Sequence, residues 1–332
     1  MENETIKKII KDNYQLETKK IEKIKNVYKI ETEEAIYCLK VIKYNLKHFR
    51  FIIAAINHLQ NRGFEYIPTI IKTINDTDYI NIGSNYAYLT KWVIGRESNY
   101  DNPYELELVS RKLAELHQAS EGFSIDSSIM NPRIGWFSWI NVFETRKDEI
   151  IDFGKRISQK AYMDDFDKMY SECLAREIER ADETVNNLID SDYYGIMDKD
   201  VLKKGFCHHD YANHNLIISN NEINVIDFDY CILDSSIHDI CSLLIRAMRH
   251  RKWGKRKAEL IINSYSEVND IEKEKYPLMK EFIRFPQEFW QIGLQRYWEQ
   301  QPWSEDVFIN RLKRYIDDLE DRSEFIEEFF DR

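Results

Sequence analysis

Residues 206–230 place a dense set of polar side chains around one short apolar stretch, and this arrangement constrains the fold more than any other segment. The segment reads FCHHDYANHNLIISNNEINVIDFDY. Short apolar runs stand on both sides of Asn220-Asn221, a pair typical of tight turns, so the pattern predicts two short paired strands. Such a hairpin would bring residue 215 beside residue 227, although twelve positions separate them in the chain.

The spacing of these polar side chains suits phosphoryl transfer. His208 and Asp210 stand one residue apart, Asn215 follows, and Asp227 ends the second predicted strand. One carboxylate must accept or orient the proton of an attacking hydroxyl group, and Asp210 is the candidate for this catalytic role. Carboxylate and amide oxygens are the hard ligands that Mg2+ prefers, so Asn215 and Asp227 are the candidate metal ligands. The pattern therefore predicts a site that uses ATP and Mg2+.

Two other interpretations of the same segment stay open. The side chains of His208, His209, Asp210 and His214 could bind zinc, and His209-Asp210 resembles the paired ligands of HD-type phosphohydrolases. Those ligands stand on helices, whereas this cluster leads straight into predicted strands. A solvent-facing loop without a function is the other alternative, because isolated His-x-Asp and Asp-Phe-Asp patterns are common. The conjunction of both patterns with a hairpin at this spacing favours phosphoryl transfer.

The hydrophobic periodicity changes along the chain and predicts an α+β fold. In the first 92 residues the pattern is mixed, and it predicts helices over 4–13 and 48–62 and strands over 25–32, 35–43, 79–83 and 86–93. From about residue 103 the period is mostly helical. We therefore expect two lobes with a ligand-binding cleft between them. They are a small sheet-bearing N-lobe (1–92) and a large, mainly helical C-lobe (93–332) with a hinge (92–95), the catalytic loop (206–230) and a helical acceptor-side subdomain.

A lysine that grips the nucleotide phosphates is expected on a strand of the first lobe. Lys40 lies in CLKVIK, with apolar neighbours on both sides, and precedes the predicted helix at 48–62. This position makes Lys40 the candidate, although a lysine in a strand is more often a solvent-facing residue. Trp92 and Val93, in the hinge, would then meet the adenine base through their backbone groups.

Charge and composition argue against several classes of function. Asp and Glu total 58 against 47 Lys and Arg, and the resulting net charge of -11 disfavours a nucleic-acid surface. The five cysteines are scattered without a CxxC pair, which predicts free thiols and a reducing compartment. We find no apolar run near 18 residues and no signal-peptide pattern, so we expect a protein that is made in the cytoplasm and does not enter a membrane.

The chain resembles the aminoglycoside phosphotransferase and choline kinase group of protein-kinase-like enzymes, and more closely the CotS-type spore coat proteins. The segments that carry the resemblance span nearly the full length in the expected order: CLKVIK, HLQNRGF, YLTKWVIGRE, HHDYANHNLII, VIDFDY and FPQEFWQIGLQRYWEQQPW. The resemblance implies a two-lobed kinase-like fold and synthesis in the mother cell during sporulation. It also implies deposition in the spore coat, where other coat proteins would be partners.

The same resemblance implies roles for individual residues. The catalytic, metal-binding and phosphate-binding candidates named above match the family by position. Asp229 matches an acidic position that choline kinases fill with Glu and that assists in binding the metal. His208 matches a histidine that mainly supports the site, and Asp239 matches a buried aspartate that braces the catalytic loop by hydrogen bonds.

Two departures from the family pattern leave two functions open. The segment from Lys20 to Lys40 has no glycine-rich loop, and the helix at 48–62 has no acidic residue to pair with the lysine. Asn57 and His58 are the polar residues of this helix that could face Lys40. The intact catalytic set favours an ATP-dependent transfer of phosphate to a hydroxyl of a small molecule, whereas the departures favour a catalytically inactive pseudokinase scaffold of the coat. A protein kinase is less favoured, because we find no segment that resembles an activation loop.

Overall fold

The structure, a computed structural model, describes residues 3–331 and divides into two compact units. The first unit combines the residues up to Arg133 with Lys204–Leu233, and the second combines Ile134–Lys203 with the residues from Asp234 onward. Each unit is therefore built from two separate stretches of chain. The predicted lobe boundary between residues 92 and 93 falls within the first unit and stays a prediction.

The first unit holds the β-structure of the described chain and three helices. Its elements are α1 (Asn3–Tyr14), β1 (Lys20–Ile24), β2 (Val27–Glu31), β3 (Ile36–Ile42), α2 (Leu46–Asn61), β4 (Ile70–Ile71), β5 (Ile80–Ile82), β6 (Asn85–Lys91), β7 (Arg96–Glu97), α3 (Pro103–Ser120), β8 (Leu216–Ser219) and β9 (Glu222–Val225). The larger sheet is antiparallel in the order β1-β2-β3-β6-β4, and β5 also pairs with β6. A second sheet has the order β7-β8-β9.

The alternation of side chains along β3 explains where Lys40 points. Tyr37 and Leu39 are buried in a cluster with Ile6 and Ile10 of α1, so α1 covers that face of the sheet. Since successive side chains of a strand point to opposite faces, Lys40 points to the other face. There it lies opposite Tyr88 of β6 in the strand register.

Local signals in the sequence account for the ends of α2 and for the β8–β9 hairpin. Gly63 follows α2 with a φ of 82°, a left-handed conformation that glycine adopts without strain. Asn220 and Asn221 have φ values of 52° and 63°, as a two-residue hairpin turn with the twist of its strands requires. The predicted helix and the predicted hairpin are confirmed.

The second unit is helical. Its helices are α4 (Trp139–Ser158), α5 (Asp165–Asp190), α6 (Tyr193–Lys203), α7 (Ile237–Met248), α8 (Lys255–Ser266), α9 (Tyr276–Arg284), α10 (Gln287–Gly293), α11 (Glu305–Asp317) and α12 (Leu319–Phe330). Aromatic rings fill its core, where Tyr170 and Phe289 stack with centroids 4.0 Å apart. Within residues 3–331, none of the helices combines the length and the apolar character that crossing a bilayer requires.

The predicted fold class is confirmed, with a sheet-bearing N-terminal region and a helical C-terminal region. The sequence pattern did not predict β1, β4 or β7. Residues of β1 are mostly solvent-accessible, and β4 and β7 have two residues each, too few to show a period.

Candidate active site

The loop that carries Asp210 is fixed at both ends by backbone hydrogen bonds. Before it, Cys207 exchanges two hydrogen bonds with Ile232, at 2.8 and 3.1 Å. After it, residues Asn213–Asn215 form a 3-10 turn that leads directly into β8. His209 has a φ of 67° in this loop, and a left-handed residue other than glycine is a form of strain that clusters at functional sites.

His208 connects this loop to the end of β9. The side chain is fully buried, and its Nδ1 accepts a hydrogen bond from the Asp210 N–H at 3.3 Å. The other ring nitrogen, Nε2, therefore carries the proton and donates to the carbonyl oxygen of Ile226 at 3.0 Å. One imidazole thus holds the backbone of Asp210 and the residue before Asp227, which is the kind of contact that the predicted supporting role requires.

Asn215, a predicted metal ligand, is hydrogen-bonded to Asp210, the predicted catalytic residue. Its Nδ2 donates to the backbone oxygen of Asp210 at 2.9 Å and to the Asp210 carboxylate oxygen Oδ2 at 3.0 Å. Both bonds use the nitrogen of the Asn215 amide group as the donor, and the amide oxygen takes part in neither of them. Mg2+ prefers hard oxygen ligands, so the amide oxygen of Asn215 is chemically suited to bind the metal. His214 Nε2 also lies 3.8 Å from Asp210 Oδ2.

The hairpin brings Asp227 to the same end of the second sheet as Asn215. Leu216 pairs with Val225, and the Ile226 N–H donates to the Asn215 carbonyl oxygen at 2.9 Å. Asp227 follows with φ 67° and ψ 71°, a left-handed conformation that turns the chain sharply. Its side chain is 40% exposed, so a carboxylate oxygen is accessible to a cation from solution.

Lys40 meets two carboxylates of this turn. Its Nζ lies 2.6 Å from Asp227 Oδ1 and 2.7 Å from Asp229 Oδ1. Burial acts to lower the pKa of Lys40, but the two carboxylates outweigh burial and raise the pKa above its usual value. Burial likewise acts to raise the pKa of Asp227, but Lys40 lowers it below its usual value. Both groups of the Lys40–Asp227 pair are therefore charged at neutral pH.

A pocket of about 360 Å³ opens beside this ion pair, within the first unit. Its lining is mostly apolar and includes Val27, Ile56, Ile67, Tyr88, Trp92, Val93 and Ile217, with Lys40 and Asp227 among the polar members. Apolar walls with a few charged groups are typical of small-molecule sites of this size. The Trp92 N–H already donates to the Ile36 carbonyl oxygen at 2.9 Å, so other backbone groups of the predicted hinge would have to meet a nucleotide base.

Three sequence predictions about the surroundings of the site can be compared with the structure. Asn57 and His58 do not serve Lys40, because the Asn57 amide donates to Asp78 and the His58 ring contacts the Glu121 carbonyl oxygen. Asp239 is fully buried in α7 of the second unit, and its bracing role stays a prediction.

Sequence reasoning missed two contacts, the pairing of Lys40 with Asp227 and with Asp229. The signal was present in the sequence as two aspartates flanking Phe228. Its meaning depends on the left-handed turn at Asp227, which places both carboxylates against one ammonium group.

Comparison with known proteins extends these observations. Residues 7–329 match the profile of a family described as "Spore coat putative kinase YutH". Spore coat protein S of Bacillus subtilis (strain 168) is 23% identical over 307 residues, which cover 91% of this chain and 86% of that protein.

Solved structures share the fold at low sequence identity. An aminoglycoside phosphotransferase from Alicyclobacillus acidocaldarius matches with a TM-score of 0.82 and 21% identity, over 96% of this chain and 93% of the other. Amicoumacin kinase hAmiN, in complex with AMP-PNP, Ca2+ and Ami, matches with a TM-score of 0.68 and 15% identity, over 99% and 94% of the two chains. These matches confirm the predicted kinase-like fold and the resemblance to spore coat proteins.

Proposed function

The chain belongs to the "Spore coat putative kinase YutH" family, and we propose that it is an ATP- and Mg2+-dependent phosphotransferase acting on a hydroxyl group of a small molecule. The observation that carries this proposal is the hydrogen-bonded chain of candidate residues. Asn215 holds the Asp210 carboxylate, the β8–β9 hairpin brings Asn215 beside Ile226, the residue before Asp227, and Asp227 pairs with Lys40. A solvent-facing loop without a function would not require contacts that link these four residues.

Each residue would have a defined task in the reaction. The Asp210 carboxylate would orient the acceptor hydroxyl and accept its proton, while the hydrogen bond from Asn215 keeps the carboxylate in place. Asn215 and Asp227 would hold Mg2+, which, when bound, offsets the negative charge of the phosphate groups. Lys40 would bind the phosphates as a point charge, and the apolar pocket beside it would receive the base.

Support for a nucleotide also comes from the fold. Amicoumacin kinase, which shares this fold, is in complex with AMP-PNP and Ca2+. By family, we further propose that the protein is made in the mother cell and deposited in the spore coat, in contact with other coat proteins.

Thermal unfolding with and without Mg-ATP tests the proposal. A ligand that binds only the native state at 100 times its Kd stabilises that state by about 2.7 kcal/mol, so the wild type is expected to unfold a few degrees higher. Asp227→Ala is expected to lose this shift. Asp76→Ala is the matched control, because Asp76 is also left-handed, with a φ of 58°, and is exposed in the same unit.

The outcomes separate the enzyme from the scaffold. A wild-type shift that Asp76→Ala retains and Asp227→Ala loses supports a nucleotide–metal site, and ADP formation with candidate hydroxyl compounds is then the next assay. No shift at millimolar Mg-ATP would contradict the proposal. The pseudokinase scaffold would then be the better explanation, since the absence of an acidic residue in α2 already favours it.

A further inference from the structure

Helix α2 offers no counter-charge to Lys40. Its residues, Leu46–Asn61, include no Asp or Glu, and the α2 residue that lines the same pocket as Lys40 is the apolar Ile56. Lys40 is nevertheless well buried, with 10% of its side chain exposed. A buried ammonium group without a partner is strongly destabilising, so its charge must be balanced from elsewhere.

The two carboxylates that balance Lys40 differ in their surroundings. Asp227 is 40% exposed, whereas Asp229 is 21% exposed. Asp229 also lies in the 3-10 turn Phe228–Tyr230, which packs on α2. The more sheltered carboxylate, that of Asp229, therefore belongs to the turn that packs on α2, whereas the Asp227 carboxylate is more accessible to solvent.

We propose that Asp229 is a positioning residue that holds the ammonium group of Lys40 in place of an acidic residue on α2, and that it is not a ligand of the metal. The effect of Asp229 on nucleotide binding rests on the proposed function, whereas the pairing of Asp229 with Lys40 does not. The predicted metal-assisting role of Asp229 would accordingly be replaced by a role in orienting Lys40.

The formal charges explain why two carboxylates are needed. Lys40, Asp227 and Asp229 together carry a net charge of -1. If a cation drew the Asp227 carboxylate away, Lys40 would keep Asp229 as its partner and would not be left buried and unpaired. Lys40 would then stay directed at the pocket while Asp227 serves the metal.

The first test separates a lysine partner from a metal ligand. ATP binding is measured by calorimetry as a function of Mg2+ concentration for the wild type, Asp229→Asn, Asp229→Glu and Asp227→Asn. Asp229→Asn is expected to weaken ATP binding about tenfold, because Lys40 loses one of its two ion pairs, while the Mg2+ midpoint stays within about twofold. Asp227→Asn is expected to raise the Mg2+ midpoint. Asp229→Glu, which keeps the charge, is expected to recover most of the ATP affinity.

An equal rise of the Mg2+ midpoint in Asp229→Asn and Asp227→Asn would overturn the proposal, because both residues would then bind the metal.

The second test needs no nucleotide and therefore stays informative if the proposed function fails. Thermal midpoints are measured without ligand for Lys40→Met, Asp229→Asn and the double variant. If Asp229 holds Lys40, the double variant loses several degrees less than the sum of the two single losses, because each single variant leaves one charge of the pair behind. Additive losses would refute the pairing. A wild type that binds no Mg-ATP but shows this non-additivity would refute the kinase and keep the pair.

Discussion

Replacing His208 by Phe removes one buried connection between the loop of Asp210 and the strand end before Asp227. Phe keeps an aromatic ring for the contact with Phe228, whose centroid lies 4.8 Å from the imidazole centroid. It cannot accept the hydrogen bond from the Asp210 N–H or donate to the Ile226 carbonyl oxygen.

The magnitude follows from these two hydrogen bonds. A buried polar group that loses its partner costs about 1–3 kcal/mol, and the 3.3 Å bond to Nδ1 belongs at the lower end of this range. We therefore expect the free energy of unfolding to fall by about 2–4 kcal/mol. His214→Gln is the control, because His214 lies in the same loop but is half exposed, and surface substitutions change stability by about 0.5 kcal/mol or less.

Amide hydrogen exchange over residues 206–230, followed by mass spectrometry, measures this loss where it occurs. A change of 2 kcal/mol corresponds to about 30-fold faster exchange when opening is the limiting equilibrium. Mg-ATP should also stabilise His208→Phe less than the wild type, since the hydrogen bond from His208 to the Ile226 carbonyl oxygen holds the residue before Asp227. Exchange in His208→Phe that is no faster than in His214→Gln would refute the reasoning, because the two hydrogen bonds would then contribute nothing to the loop.

Two further predictions concern the ion pair and the pocket. Lys40 lowers the pKa of Asp227, so the stability that the pair contributes is present above about pH 4 and is lost as the pH falls through the lowered pKa. The carboxylates raise the pKa of Lys40, so the same contribution begins to be lost above about pH 10, as the pH rises towards the raised pKa. Urea unfolding from pH 3 to 11 should show a constant difference in the free energy of unfolding between wild type and Lys40→Met from about pH 4 to about pH 10. A difference that is as large at pH 3 as at pH 7 would contradict the pairing. Gly95→Ala would place a Cβ 2.2 Å from the Ile218 carbonyl oxygen, so we expect a loss of about 1–3 kcal/mol and weaker Mg-ATP binding. Gly254→Ala, whose Cβ would meet nothing within 4 Å, should unfold like the wild type, and equal losses in the two variants would show that the close contact at Gly95 is not the cause.

The parts of the fold that the sequence predicted are those with a local code. Alternation marks β3 and places Lys40 on one face, and Asn220-Asn221 specifies a tight hairpin turn whatever surrounds it. The hairpin then determines that Asn215 and Asp227 lie at the same end of the sheet, so the relation between these two candidate ligands was also predictable.

The partner of Lys40 was not predictable, because no local code specifies it. Position within the helix suggested Asn57 or His58, yet both contact other groups. The pairing with Asp229 depends on the left-handed backbone of Asp227. The sequence does not indicate this conformation, because aspartate adopts it only occasionally.

The distance along the chain between Lys40 and its carboxylates bears on how the protein is synthesised. Lys40 and Asp227 are 187 residues apart, and the whole stretch Ile134–Lys203 of the second unit is translated between them. When β3 leaves the ribosome, no counter-charge for its lysine exists yet, so burying that ammonium group would be unfavourable. The N-terminal sheet is therefore expected to stay open around Lys40 until residue 229 has emerged. Closure of the first unit would then be a late event, which keeps apolar strands accessible to chaperones for most of translation.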